Sequence, residues 1–429
     1  MHKHERPVRR HFKKLATSSL IRLVTKGQFA VYTAGNCVSL LGSWMQRIGC
    51  SLLVWEMTQS TFWLGILAAA DLLPTVFIGP FAGAAADRWN PLKLNRICQM
   101  VLTAIALIIT VLIYLDLLSL GVLISLIALQ GSIIALCQPA RLSLVQDLVV
   151  REDVPAAVAI NSMSVNLARL VGPAIAGLMV VYLNVSWVFL TNAIVTAIFV
   201  VALGYVSIPA RKGTVFGGSM LSGIVEGFRY LIRDEGMRAM LLLLLAGGAT
   251  IRSIAEMLPA FADTYFSHSV TGLAILTSSM AFGSIAAGFS VGTGSITNGL
   301  PRKVILSWIG AAASVMVFSV CHSSSLLALG ALAIGFFTSV GIIGTQTFVQ
   351  LSAPPAMRGR ALSVHGLLFR ASPSLGALVL GLAADMLGLT LPALISGGVM
   401  MIVALLYLPA AARLGANLER GDAPLCSDE

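Results

Sequence analysis

Charge is what this sequence has least of. Of its 429 residues, 11% are Asp, Glu, Lys or Arg and 57% are hydrophobic, with a mean hydropathy of +0.90. Soluble domains carry roughly 25% charged residues, so a set of soluble domains is excluded and an integral membrane protein is indicated. Aromatic residues are also few, at 7%; a cavity built for lipophilic cations would be richer in rings and in acids. The six cysteines (Cys37, Cys50, Cys98, Cys137, Cys321, Cys426) show no paired spacing, which argues against both a disulfide framework and a cysteine metal site. His2, His4 and His11 near the N-terminus could touch a metal, but scattered terminal histidines are usually incidental, so no metal is expected. There is no phosphate-binding P-loop to support direct ATP coupling. No cofactor is expected either.

What is present is a series of about twelve apolar segments, at 28–56, 62–86, 95–115, 120–145, 156–182, 186–208, 238–262, 271–296, 304–321, 325–350, 362–387 and 391–411. Each approaches the roughly 20 residues that a bilayer crossing requires. The expected fold is therefore an all-α integral membrane protein of twelve transmembrane helices. The net charge of +10 would suit nucleic acid, but its distribution indicates topology instead. If the connections alternate sides, four of the 28 Lys and Arg (Arg47, Arg169, Arg252, Arg370) lie deep within segments and the others fall in tails, connections or segment ends on the side of the N-terminus. That is the positive-inside pattern, and it places both termini in the cytoplasm with no nucleic acid as partner. The first 26 residues carry eight Lys or Arg and no apolar core of a signal peptide, so they read as a basic cytoplasmic arm near anionic lipid.

The connection 209–236 is the one long polar break. Within it, Ser222 to Arg233 sets Ile224, Phe228, Leu231 and Ile232 against Glu226, Arg229 and Arg233 at helical spacing, as in an amphipathic helix lying on the membrane. The expected organisation is a basic arm (1–26), a six-helix bundle (27–208), this cytoplasmic linker (209–236), a second bundle (237–412) and a cytoplasmic tail (413–429). The bundles echo each other. Asn161 to Gly177 and Ser363 to Gly381 each follow a basic turn and carry a lone arginine, then a proline, then a glycine: Arg169, Pro173 and Gly177; Arg370, Pro373 and Gly381. Duplicated six-helix units suit alternating access around a site near the midplane.

Three stretches carry a family resemblance: Gly42-Ser-Trp44-Met45-Gln46-Arg47, the loop from Gly83 to Asp87-Arg88, and Leu167-Ala-Arg169-Leu-Val-Gly172-Pro173. With Leu258 to Asp263, they make the chain from 28 to 412 resemble the major facilitator superfamily, in the enterobactin- and macrolide-exporter branch of transmembrane secretion effectors. The run Gly172-Pro173-Ala-Ile-Ala-Gly177 is similar to the superfamily's export-associated antiporter motif. The fourth segment has Ile127 ahead of Gln130-Gly131, where drug–proton antiporters commonly carry an arginine. The resemblance implies that Asp87 rests against the N-terminus of the eleventh helix, whose aligned amides favour negative charge. Asp147 and Arg141 are the expected partners of Arg88. Gly83, Asp87, Arg88, Arg169, Gly172, Pro173 and Arg370 are thus expected to act in gating.

An ionisable group at the bilayer centre costs roughly 2.5–3.5 kcal/mol on insertion scales, so it faces the interior and pairs. Asp71, Arg47, Arg252 and Glu256 are accordingly the candidates for substrate binding and proton coupling. Asp71 lies three residues before Pro74. Arg252 and Glu256, four apart, would share one face of an α-helix. The expectation is a non-enzymatic, proton-coupled exporter of a small organic molecule, siderophore-like or otherwise anionic, acting as a monomer in a bacterial inner membrane. The alternatives are a multidrug or macrolide efflux pump and a non-transporting receptor or assembly factor with the same fold.

Overall fold

The computed structural model describes residues 22–79, 82, 89–208, 228–293, 299–411 and 413–414. The described residues form helices and no strand. In chain order they are α1 (Gln28–Thr58), α2 (Thr61–Leu72), α3 (Pro91–Tyr114), α4 (Leu120–Asp147), α5 (Val154–Tyr182), α6 (Val185–Gly204) and α7 (Glu235–Thr250). A 3-10 stretch, Arg252–Met257, follows α7. Then come α8 (Leu258–Tyr265), α9 (Ser269–Thr293), α10 (Leu300–Val320), α11 (Ser324–Ser352), α12 (Pro355–Leu387) and α13 (Thr390–Tyr407). Twelve spans are long and apolar enough to cross a membrane. Outward-facing apolar side chains such as Ile108, Val111, Val181, Ile402 and Leu406 agree with a lipid surround, since water would leave such surface uncovered.

Helix ends follow local chemistry. Asn90 caps α3 by accepting hydrogen bonds from the Leu92 and Lys93 amides, with Pro91 at the first helical position. Asp234 does the same for α7 through the Met237 amide, at 2.7 Å. The guanidinium of Arg96 takes up carbonyls at and just past the end of α6, bonding to Leu203 (Nε, 2.9 Å) and Val206 (3.2 Å). Gly388 ends α12 at φ 79°, a conformation that a side chain would strain.

Two spans that read as continuous in sequence are interrupted. The second breaks at Leu73 and resumes over 74–79, because Pro74 has no N–H for the carbonyl four residues back. The seventh changes to 3-10 geometry at Arg252–Met257 before α8. Of the expected linker helix, 228–233 is helical and the remainder lies outside the described residues.

The chain packs as two compact units that cut across its halves. One comprises Met1–Gly49, Phe81–Ser119 and Ser132–Phe216; the other comprises Cys50–Pro80, Leu120–Gly131 and Gly217–Glu429. In the first, α3 packs on α6, and Gly35, Gly42 and Gly49 line one side of α1 against α6. A Cβ on these glycines would lie 2.8 Å from Phe199, 2.5 Å from Asn192 and 3.2 Å from Phe189 respectively. Close small-residue contact of this kind replaces the hydrophobic drive that helices lack in lipid. In the second unit, α2 and α7 pack on α12, and α9 and α10 pack on α11. Trp308 is fully buried there, covered by Gly247 and Gly341, whose added Cβ atoms would meet its ring at 2.2 and 2.8 Å.

Candidate functional site

Charged residues gather at one place in each unit. In the first, α1 presents Trp44 and Arg47 three residues apart, on the same helix face. Gly172 of α5 lets that helix approach: an added Cβ would sit 2.7 Å from Trp44 Cβ and 3.4 Å from the Leu41 carbonyl. Arg169, one turn earlier on α5, thereby reaches the same indole. The Cζ atoms of Arg47 and Arg169 lie 5.9 and 5.1 Å from the ring centroid, within the range of cation–π attraction. Arg169 Nε is buried without a hydrogen-bond partner. Around this group run polar contacts that rigidify the unit. Asn192 Nδ2 bonds to Gln46 Oε1, Arg141 bonds to Asn36 Oδ1, and Asn36 Nδ2 bonds to Asn161 Oδ1 at 3.2 Å.

In the second unit the 3-10 stretch carrying Arg252 and Glu256 packs on both α2 and α12. Asp71 lies just before the break of the second span, and Gly131 of α4 closes on its backbone; a Cβ there would be 2.3 Å from the Asp71 carbonyl. The carboxylate of Asp71 and the guanidinium of Arg370 interact electrostatically. Proline chemistry explains the position of Arg252. Pro373 cannot donate to the carbonyl of Phe369, four residues back, and hydrocarbon offers no replacement donor. Arg252 Nη1 donates to that carbonyl, and its Cζ lies 4.0 Å from the Phe369 ring centroid. Close approach makes this possible: a Cβ on Gly376 would lie 1.9 Å from the Ala249 carbonyl, and one on Gly248 1.8 Å from Ser372 Oγ.

Two further polar groups stand in the second unit. At the end of α12, Asp385 accepts hydrogen bonds at the N-terminus of α2 from Ser60 Oγ (2.7 Å), Thr61 N (2.8 Å) and Thr61 Oγ1 (3.0 Å). Thr61 Oγ1 also reaches the Gly381 carbonyl at 2.8 Å. Deeper in α12, buried His365 meets Thr345 Oγ1 of α11 at 3.3 Å.

The expected site residues therefore divide differently from their sequence grouping. Arg169 joins Arg47, and Arg370 joins Asp71. Arg252 and Glu256 sit in a 3-10 turn, where i and i+3 stack, so four-residue spacing does not place them on one face. Gly172 and Pro173 are buried in α5. Gly83, Asp87 and Arg88 lie outside the described residues. Arg141, expected beside Arg88, is bonded to Asn36. Sequence reasoning does not single out Trp44, Asn36, Asn161, Asp385 or His365 as site residues. A signal exists for the polar ones: each is a hydrogen-bonding side chain in an apolar run, where it must find a partner.

The family described as transmembrane secretion effector matches residues 18–421. The staphyloferrin A transporter of Staphylococcus aureus is 24% identical over 366 residues, covering 83% of this chain and 90% of that one. Macrolide efflux protein A of Streptococcus pyogenes is 21% identical over 394 residues, covering 89% and 95%. Among solved structures, a point mutant of the nucleoside transporter NupG superposes with a TM-score of 0.70 at 15% identity, covering 90% of this chain and 98% of its own. That likeness concerns the fold.

Proposed function

The chain belongs to the transmembrane secretion effector family of major facilitator transporters, and from that membership we propose that it exports a small anionic metabolite of siderophore type against a proton gradient. Interior charge is the observation that carries this reading. Arg47 and Arg169 share the Trp44 indole, and Arg252 and Arg370 accompany Asp71 and Glu256 beside the broken seventh span. Cations held in a low-dielectric interior attract an anion more strongly than they would in water. Asp71 is the proton carrier, with Arg370 as the charge it answers to, and Glu256 and Arg252 assist. The two six-helix bundles, 27–208 and 237–412, alternate access as a monomer in a bacterial inner membrane. Both termini are cytoplasmic, since Lys93, Arg151, Arg302, Arg358 and Arg360 all fall at connections on the N-terminal side. Arg169, Gly172, Pro173 and Arg370, with Gly83, Asp87 and Arg88, form the gating elements. Likeness to the S. aureus staphyloferrin A transporter supports the substrate class.

Macrolide efflux is the second reading, supported by the 95% of the S. pyogenes efflux protein that the alignment covers. Everted vesicles separate the two. An imposed pH gradient is expected to drive accumulation of a labelled carboxylate siderophore but not of erythromycin, with the accumulation lost on adding a protonophore and in Asp71→Asn. Accumulation that is indifferent to the gradient, or unchanged in Asp71→Asn, refutes the proton-coupled export reading.

A further inference from the structure

Sequence spacing argues against a cysteine site, yet α3 and α4 bring two thiols together. Cys98 and Cys137 pack in one buried cluster with Leu94 and Ala140, and their side chains interact directly. The Cys137 thiol donates to Asn95 Oδ1 at 3.1 Å, across 42 positions of chain. Asn95 precedes Cys98 by about one turn of α3, so the amide and both thiols meet on one helix face. All three residues belong to the first compact unit. Asn95 is wholly buried, and its Nδ2 has no hydrogen-bond partner. Buried donors are nearly always satisfied, and packing alone would be served by an apolar side chain without the desolvation cost. The unused donor marks a place for an acceptor. A thiolate is a strong acceptor and a thiol a weak one, so deprotonation of the pair would complete the amide's bonding.

We propose that Cys98 and Cys137 form a two-thiolate site for a soft monovalent cation of the copper(I) class, with the Asn95 amide donating to one of the sulfurs. Binding releases both thiol protons to solvent and forms two metal–sulfur bonds, leaving one net negative charge on the pair. Arg141 follows Cys137 by one turn of α4 and lies within electrostatic reach of it; its guanidinium bonds to the neutral Asn36 amide and keeps a positive charge to offset that one. The donor set selects the metal. Among the described residues no group of three His, Cys, Asp or Glu is placed to hold an ion, so the four ligands of structural zinc are not available. Two thiolates suit copper(I), which prefers soft ligands and accepts them in a line. Cys98 lies about two turns into α3 from the end that carries Lys93 and Arg96. With both termini cytoplasmic, as proposed, that end faces a reducing compartment, which keeps the pair from closing to a disulfide. An occupied site would fasten α3 to α4, whatever the transported solute.

Purified full-length protein in detergent, with Cys37, Cys50, Cys321 and Cys426 replaced by alanine, tests this. Copper(I) is supplied without oxygen, under ascorbate, as its bicinchoninate complex, whose absorbance falls as the protein takes the metal. One equivalent per chain is expected, with two sulfurs around copper in the X-ray absorption spectrum and thermal stabilisation that saturates at the same ratio. Cys98→Ala and Cys137→Ala should each abolish uptake at concentrations that saturate the parent. Asn95→Leu keeps both thiols and should weaken the affinity about tenfold or more, as removal of a group bonded to a metal ligand does. Zinc(II) at the same concentration should neither bind nor stabilise. Melting without metal shows whether each variant folds, and serine replaces alanine at either cysteine where the alanine variant does not. No uptake by the parent, uptake retained in a folded variant of either cysteine, unchanged affinity in Asn95→Leu, or equal binding of zinc overturns the site. So does protein isolated with the pair already joined as a disulfide.

Discussion

Replacing Asp385 with alanine should loosen α2 from α12 at the end of the spans opposite the basic connections. The carboxylate accepts three hydrogen bonds from Ser60 and Thr61 at 2.7–3.0 Å and sits at the N-terminus of α2, where the helix dipole favours negative charge. A hydrogen bond to a charged group contributes about 1.5–3 kcal/mol net when shielded. Here Ser60 and Asp385 touch water while Thr61 is 4% exposed, so the bonds do not add in full. Thr61 Oγ1 also retains the Gly381 carbonyl. A net loss of about 2 kcal/mol follows, equivalent to a roughly thirtyfold rise in the separated population, since 1.4 kcal/mol is tenfold. Asp385→Asn keeps an acceptor and loses the charge, for about 1 kcal/mol and a roughly fivefold rise. The reporter is Leu64→Cys, a position on α2 with 1% exposure, in a background with the native cysteines replaced. Its maleimide labelling rate should follow the separated population. Thr61→Val should raise that rate less in the Asp385→Ala background than in the parent, because there it removes only the bond to the Gly381 carbonyl. A labelling rate in Asp385→Ala within twofold of the Asp385 parent would refute the reasoning.

Two other outcomes follow from the second unit. Arg252→Ala should destabilise by about 1–3 kcal/mol by leaving the Phe369 carbonyl without a donor in hydrocarbon; adding Pro373→Ala restores a helical N–H to that carbonyl and should recover part of the loss in thermal melts. Gly376→Ala forces a Cβ to within 1.9 Å of the Ala249 carbonyl, a backbone atom that cannot swing aside, so the monodisperse yield on size exclusion should collapse, whereas Gly398→Ala, which meets nothing within 4 Å, should leave it unchanged.

The number of spans was legible because each is a long, mostly apolar run, and composition alone sets whether a run can cross lipid. The echo of Arg169-Pro173 and Arg370-Pro373 was legible for the same reason: both are departures from an apolar background. What those departures touch was not legible. Four-residue spacing put Arg252 and Glu256 on one face, but the local turn is 3-10, a choice set by packing on α2 and α12. Arg252 seeks a carbonyl 117 positions away, and Asp385 seeks an amide 324 positions away; nothing local in the sequence encodes either.

The sequence by itself determined that this chain lives in a bilayer, the order of its helices and the sparse set of groups that hydrocarbon cannot solvate. Only the tertiary structure decided how those groups combine: two arginines on one indole, Asp71 with Arg370, Asp385 on the start of α2. The physical reason is the range of the forces. Transfer of apolar side chains into lipid is additive along the chain and can be summed from composition. A buried charge or donor is stabilised only by a particular partner within a few ångströms, and that partner is chosen by which glycines let which helices approach.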